Sequence, residues 1–177
     1  MSGVDDAGPA GGLARLDACA AADAFEALLR CCGARRWAEA MAARRPFGDL
    51  ARLRAAADEV FRTLGRDDWL EAFRAHPRLG DRDALRARFA TSAWAAGEQA
   101  GTAAASEATL AALADANRAY EERFGHVFIL CATGKPAGEM LAALRARFDN
   151  APDRELEIAA AEQRRITHLR LEKLTSS

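Results

Sequence analysis

His76 is the side chain in this sequence that is best suited to move a proton near neutral pH. It begins the segment HPRLGD at positions 76–81, where the proline forces the preceding helix to end by Ala75 or by His76 itself. A titratable side chain in a loop that follows a helix fits a general acid or base. The alternative is structural, with a cationic His76 offsetting the dipole of that helix.

An acid next to an amide provides a second candidate site. Glu98 and Gln99 are flanked by Gly97 and Gly101. A carboxylate that accepts hydrogen bonds, beside an amide that both donates and accepts, suits a ligand with several N–H and C=O groups. The flanking glycines would let the backbone approach such a ligand closely. The alternative is a solvent-exposed helix end.

One apolar run could offer its backbone groups to a ligand. Residues 127–131 read VFILC and are strand-like, but the run is too short and too isolated to build a sheet. We therefore expect a buried extended connection that leads into Thr133 and Gly134, and its alternative role is a plain crossover of the core. Cys131 has no adjacent histidine or acid in sequence, so we expect an inert thiol and not a nucleophile.

Arg170 is the fourth candidate. On the last predicted helix it shares a stripe with residues three or four positions apart, namely Gln163, Ile166, Thr167 and Leu174. An arginine on such a partly apolar stripe can hold a carboxylate through two parallel hydrogen bonds. The alternative is a boundary arginine whose stem is buried and whose charge reaches solvent.

Apolar residues at helical spacing predict the elements that carry these candidates. The composition, rich in Ala and Leu and poor in β-branched residues, favours helix over strand. We expect helices before Gly33, around 37–41, from Asp49 to Gly65, from about 67 to 75, over 85–100 and 106–124, from Pro136 through Phe148, and after a capped turn at 150–153. The prediction is an all-α, single-domain multi-helix bundle at 13–177, preceded by a disordered leader at 1–12.

Charge and composition exclude several classes of protein. The 25 Lys and Arg nearly balance the 26 Asp and Glu, which argues against nucleic acid as a partner and leaves a helix-turn-helix protein without its basic recognition helix. No apolar run approaches the roughly 18–20 residues that span a membrane. The four cysteines and three histidines match no metal motif. We expect reduced thiols in the cytoplasm and no metal.

Taken together, the segments resemble the 2-oxo-4-hydroxy-4-carboxy-5-ureidoimidazoline (OHCU) decarboxylase family of urate breakdown. Any one piece is weak, but the ordered set is specific and extends over most of the chain. The matching pieces are RPF at 45–47, HPRLG at 76–80, EQAG at 98–101, NRAYE at 117–121, FG at 124–125 with Phe128, EL at 155–156, EQ at 162–163 and LRL at 169–171.

The resemblance implies an all-helical fold, usually a homodimer, that works without metal or organic cofactor. Family members convert OHCU into (S)-allantoin and carbon dioxide in purine catabolism. Their substrate is the product of hydroxyisourate hydrolysis, so a functional link to a uricase and a hydroxyisourate hydrolase is also implied. Without a cofactor, the electron pair left by carbon dioxide would pass to the substrate's own ring imine, and the protein would deliver one proton to one face.

The resemblance also assigns roles by position. His76 matches the family's catalytic histidine, and Pro77 matches its substrate-contacting neighbour. Glu98 joins the catalytic set, and with Gln99 it matches the polar pair that binds substrate. The remaining matches to substrate-binding positions are Ala95, Ala96, Gly97, the cradling segment Leu130, Cys131, Ala132, Thr133 and Gly134, and Arg170 on the last helix.

One position departs from the family pattern. A serine is expected three residues before the glutamate, where this sequence has Ala95. Ser92 is six residues before Glu98 and points largely away on a helix, so we expect water to fill the gap. The departure favours a rival interpretation, a catalytically inactive helical module that binds a partner protein. The other matches favour the enzyme.

Overall fold

The computed structural model describes residues 10–95 and 107–176, which form nine α-helices and no β-strand. The predicted all-α fold is confirmed. The helices are α1 (Ala10–Ala18), α2 (Ala21–Cys32), α3 (Arg35–Ala42), α4 (Leu50–Arg62), α5 (Arg66–Arg74), α6 (Arg82–Ala95), α7 (Glu107–Phe124), α8 (Ala137–Phe148) and α9 (Pro152–Thr175).

The helix ends follow from local chemistry. Gly33 ends α2 in the left-handed conformation, with φ of 86°, and its N–H donates to the carbonyl of Leu29 at 2.7 Å. Asp49 caps α4, because its side chain accepts a hydrogen bond from the Arg52 N–H at 2.8 Å. Between α5 and α6, residues 76–81 form the loop that the proline predicts.

The chain divides into two compact units. The first unit contains the described residues up to Ala72 and those from Gln163 onward. Its core is built on Trp37, whose indole N–H donates to the Ala57 carbonyl at 3.3 Å. Gln163 is buried in the same unit and donates to the carbonyl of Cys32 at 3.1 Å.

The second unit contains residues 73–162. Its core forms where α6, α7, α8 and the segment after α7 contribute apolar side chains. The buried members are Leu85, Leu110, Leu113, Ala114, Tyr120, Phe128, Ala137, Met140, Leu141 and Leu144. This unit contains the loop with His76 and the apolar run 127–131, so it positions two of the predicted site segments.

Helix α1 corrects the predicted leader. It begins at Ala10, so residues 10–12 are helical, while residues 1–9 lie outside the described part of the chain. Two glycines in its sequence lower helix propensity, which hid the helix from the sequence pattern. Packing overrides that propensity: Leu13 and Leu16 are buried, and a Cβ on Gly12 would lie 2.5 Å from the Thr175 carbonyl oxygen.

Two helix starts refine the prediction. The helix expected from Asp49 to Gly65 begins at Leu50, whose apolar side chain is 36% exposed. The helix expected over 85–100 begins three residues earlier, at Arg82, and is described up to Ala95. Its predicted last turn lies outside the described residues.

Candidate active site

The His76 loop is attached to helix α7. Arg118 donates from Nη1 to the Gly80 carbonyl at 2.7 Å, and Arg78 pairs with Glu121 at 3.3 Å. Gly80 lies against the stem of Arg118, where an added Cβ would be 3.0 Å from Cγ. The side chain of His76 is half-buried, and its backbone N–H donates to the Phe73 carbonyl at 3.1 Å. A loop fixed in this way presents His76 and the exposed Pro77 in a defined position.

The apolar run 127–131 is an irregular connection between α7 and α8, as predicted. Phe128 and Ile129 are buried, whereas Leu130, Cys131 and Ala132 are half-buried and Thr133 and Gly134 are exposed. The segment therefore rises from the core toward the surface along the residues that were predicted to cradle a ligand. Gly134 has φ of 73°, a conformation that favours glycine in the turn before α8.

A buried charged cluster supports this segment, and its centre is Glu155. Arg147 donates to Glu155 Oε1 from Nε at 2.8 Å and from Nη2 at 2.5 Å, and Asn150 donates to Oε2 at 2.8 Å. The Tyr120 hydroxyl donates to Oε1 as well. Arg147 also lies over the ring of Phe128, 4.5 Å from its centroid.

The cluster shifts the acidity of its members in opposite directions. Burial alone would raise the pKa of Glu155, but the hydrogen bonds from Arg147, Tyr120 and Asn150 outweigh it and lower that pKa below its ordinary value. Burial, and then the hydrogen bond to the Glu155 carboxylate, raise the pKa of Tyr120. The cluster thus contains one ionised pair, Glu155 with Arg147, and a neutral phenol.

Two charged residues, Arg147 and Glu162, were given no role from the sequence, yet each binds the backbone of the segment. Arg147 donates to the Ile129 carbonyl at 2.8 Å, and buried Glu162 accepts from the Cys131 N–H at 2.8 Å. The helical spacing of the apolar residues could have indicated that both side chains face the interior. Arg147 lies three residues after Leu144 on the apolar stripe of α8, and Glu162 lies three after buried Ala159 on α9.

Arg170 belongs to the first unit. Its guanidinium donates from Nη1 to the carbonyls of Arg30 and Cys31, at 3.4 and 3.3 Å, at the end of helix α2. Such a contact offsets the negative end of that helix dipole. Burial raises the pKa of Cys31 to about 11, although the charge of Arg170 acts to lower it. Within its own unit, Arg170 thus caps the end of α2 through Nη1.

The remaining predicted site residues are at the edge of the described part of the chain or outside it. Ala95 is the last described residue of α6, and Ala96, Gly97, Glu98 and Gln99 lie outside the described part of the chain. Among the described residues, no group of three or more His, Cys, Asp or Glu side chains could hold a metal ion. No described helix is long and apolar enough to cross a membrane.

A cavity of about 880 Å³ lies in the first unit, between α1, the start of α4 and the end of α9. Its lining includes Asp17, Arg54 and Glu172 but none of the predicted site residues. Asp17 already accepts hydrogen bonds from the backbone N–H groups of Phe47 and Gly48, both at 2.9 Å. The lining of the cavity therefore shares no residue with the predicted site, and its Asp17 is engaged in holding the fold.

Comparison with known proteins identifies the class, that of the all-helical carboxy-lyases. A crystal structure of an OHCU decarboxylase determined in the presence of (S)-allantoin is 36% identical, with a TM-score of 0.72, and the match covers 86% of this chain and 99% of that one. A structure of an (S)-allantoin synthase has a TM-score of 0.67 at 22% identity, covering 92% of this chain and 53% of that one, which supports the fold alone.

The family model for OHCU decarboxylase matches residues 17–172, and the chain belongs to that family. The decarboxylase of Amia calva is 31% identical over 130 residues, covering 73% of this chain and 74% of that protein. The bifunctional uric acid degradation protein TTL of Arabidopsis thaliana is 50% identical over 74 residues, which are 42% of this chain and only 23% of that protein. The predicted family and enzyme class are confirmed.

Proposed function

We propose that this protein decarboxylates OHCU to (S)-allantoin and carbon dioxide in urate degradation, with His76 as the acid/base. Family membership over residues 17–172 is the observation that carries the reaction. The attachment of the His76 loop to α7 supports the role of the histidine, because proton transfer to one face of a planar intermediate requires a fixed donor.

The chemistry needs an electron sink and one proton. When the C–CO₂ bond breaks, its electron pair passes to the ring imine of the substrate and leaves an enol-type intermediate. The imine nitrogen takes up a proton with the displaced electrons. Protonation of the former imine carbon then creates the stereocentre, as the enol hydroxyl loses its proton and becomes the ring carbonyl. Fixed hydrogen-bond donors that face the developing charge lower the barrier of such a step. His76 delivers the proton in this scheme, and the ionised carboxylate of Glu98 holds N–H groups of the substrate.

The other substrate contacts follow the family positions. Pro77 lies beside the histidine, Gln99 adds an amide, and residues 95–97 bring the backbone close. Residues 130–134 cradle the ring, which fits a segment that rises from the core to the surface. Arg170 binds the leaving carboxylate. Where relatives have a serine hydroxyl at position 95, a water fills the gap beside Ala95.

The proposal also covers the oligomeric state, the cofactor requirement and the cellular compartment. The enzyme is a cytoplasmic homodimer that uses no metal or organic cofactor and receives substrate made by a uricase and a hydroxyisourate hydrolase. The free thiols of Cys19, Cys31, Cys32 and Cys131 support a reducing compartment. The inactive interaction module is the competing proposal, and Ala95 is the feature that favours it.

The test follows the chirality of the product. Urate, a uricase and a hydroxyisourate hydrolase generate the substrate in the assay mixture. Circular dichroism then distinguishes (S)-allantoin from the racemic allantoin that forms without enzyme. We expect the wild-type protein to give (S)-allantoin, and His76→Asn to lose about 10²–10⁴-fold in rate while its melting temperature stays close to wild type. Optically active product formed by His76→Asn at the wild-type rate would exclude His76 as the acid/base. Racemic product from the wild type would favour the inactive module.

A further inference from the structure

Two charged side chains from different helices hold the peptide groups on either side of Leu130. On one side, Arg147 of α8 donates to the carbonyl of Ile129 at 2.8 Å. On the other, Glu162 of α9 accepts from the N–H of Cys131 at 2.8 Å. Hydrogen bonds to ionised groups are about twice as strong as neutral ones, so both peptide planes are held in one orientation.

The planarity of the peptide bond fixes where the groups of Leu130 point. Both bonds are trans, since the described residues contain a single cis bond, Arg45–Pro46. In a trans peptide the C=O and the N–H point in opposite directions. The N–H of Leu130 therefore points away from Arg147, and its C=O points away from Glu162. Neither group makes a hydrogen bond with any described residue, and Leu130 is half-buried.

Arg147 is itself fixed by several contacts. Glu155, which is fully buried, receives two of its donors, and the ring of Phe128 lies beneath its guanidinium. In an ordinary crossover, the backbone N–H and C=O groups of such a segment would form hydrogen bonds with another strand or with water. Here one charged donor and one charged acceptor take the place of the neighbouring strand, at the desolvation cost that ionised groups carry in a protein interior.

We propose that Arg147 and Glu162 are positioning residues that aim the N–H and C=O of Leu130 at the substrate as a paired donor and acceptor. Such a pair is complementary to a ring carbonyl with an N–H on the adjacent atom, which is the edge that a cyclic ureide presents. The two side chains act through the backbone and do not touch the substrate. The inference rests on the proposed function, because it explains which side chains fix the backbone of the proposed substrate-binding segment at residues 130–134.

Variants of Glu162 test the proposal against a purely structural role. Glu162→Ala removes the acceptor for the Cys131 N–H, whereas Glu162→Gln keeps an oxygen that can accept. Glu157→Gln, on an exposed residue of the same helix, is the matched control. Loss of one charged hydrogen bond predicts about a tenfold rise in the Kd of (S)-allantoin for Glu162→Ala, with kcat changed less than about threefold. We expect Glu162→Gln to restore most of the affinity, and Glu157→Gln to match the wild type.

The backbone amide gives a readout that stability alone would not change. In a ¹⁵N-labelled protein, (S)-allantoin should shift the Leu130 amide resonance of the wild type and of Glu162→Gln at saturation. In Glu162→Ala the shift should be much smaller, even at saturating (S)-allantoin. If Glu162→Ala fails to fold, Arg147→Lys serves in its place, because lysine keeps one donor but loses the fixed geometry of the guanidinium.

The outcomes separate the two proposals. Racemic allantoin from the wild type would reject the proposed function. If the wild type makes (S)-allantoin but its Leu130 amide is unmoved by the ligand, the inference is wrong and the function stands. An unchanged Kd in Glu162→Ala would overturn the inference in the same way.

Discussion

Two segments of the second unit carry predicted substrate-facing groups, and different forces hold them. The His76 loop is attached to α7 by side chains at the surface, with Arg78 81% exposed and Arg118 53% exposed. The segment at 127–131 is held by Arg147, which is 12% exposed and pairs with Glu155, a fully buried carboxylate. Water competes for the first set of contacts and not for the second. A contact to the His76 loop should therefore stabilise the fold much less than a contact to the segment at 127–131.

Breaking the buried cluster should have the largest effect. Glu155→Gln leaves the Arg147 guanidinium buried without a counter-charge, and we expect the free energy of unfolding to fall by about 3–5 kcal/mol. Urea unfolding of Glu155→Gln against Glu157→Gln, an exposed control on α9, measures the difference. A loss below about 1 kcal/mol would mean that this pair behaves as a surface pair.

Replacing both Arg147 and Glu155 tests whether the loss of stability comes from an unpaired buried charge. In the double variant Arg147→Met with Glu155→Leu, this ion pair leaves no unpaired charge behind, and apolar side chains of similar size fill the space. Much of the stability lost in Glu155→Gln should return, because the penalty comes from an unpaired charge and not from a missing attraction. Affinity for (S)-allantoin should be below that of the wild type in the double variant, since a methionine side chain would donate nothing to the Ile129 carbonyl.

A half-buried cluster in the first unit provides an intermediate case. Asp58 Oδ1 accepts from Arg164 Nε and contacts His168 Nε2, both at 2.6 Å, and Asp58 is 27% exposed. The hydrogen bond from Arg164, opposed by partial burial and helped by His168, lowers the pKa of Asp58 from 3.8 to about 2. A carboxyl group with a depressed pKa stabilises the folded state above its unfolded pKa and stops doing so as the pH falls through its folded pKa.

We therefore expect Asp58→Asn to lower the free energy of unfolding by about 1–2 kcal/mol at pH 7. The gap between variant and wild type should narrow as the pH drops from about 4 toward 2, where the wild-type carboxylate becomes protonated. Denaturation curves of both proteins over that range measure the gap. A difference that stays constant down to pH 2 would show that the loss is one of packing and not of charge.

The sequence predicts the elements of this fold better than the contacts that hold its site. Spacing of apolar residues located α2 through α9, and Asp49 and Gly33 marked helix ends, because those signals are local. Helix α1 was missed, since its glycines lower helix propensity and the packing of Gly12 against Thr175 of α9 forms only in the folded chain. The support of residues 129–131 was missed for a related reason. Arg147 and Glu162 lie far from the segment in sequence, and only folding brings them to its backbone.

The smallest change in stability should come from the surface contact of the His76 loop. Arg118→Ala removes the hydrogen bond to the Gly80 carbonyl, and its exposure limits the loss of unfolding free energy to less than about 1 kcal/mol. Activity should respond more than stability, because a small displacement of an acid/base group weakens proton transfer. We expect kcat to fall about three- to tenfold, with the circular dichroism assay as the measure.

Asp115→Ala is the matched control for this contact. Asp115 pairs with Arg118 on the outside of α7, so its removal leaves the bond from Arg118 to the loop in place. Asp115→Ala should keep the wild-type kcat, and Arg118→Lys, which retains one donor, should fall between the two. Equal loss of kcat in Asp115→Ala and Arg118→Ala would indicate that the charge on α7, and not the anchoring of Gly80, affects the reaction. An unchanged kcat in both would mean that the His76 loop holds its position without α7.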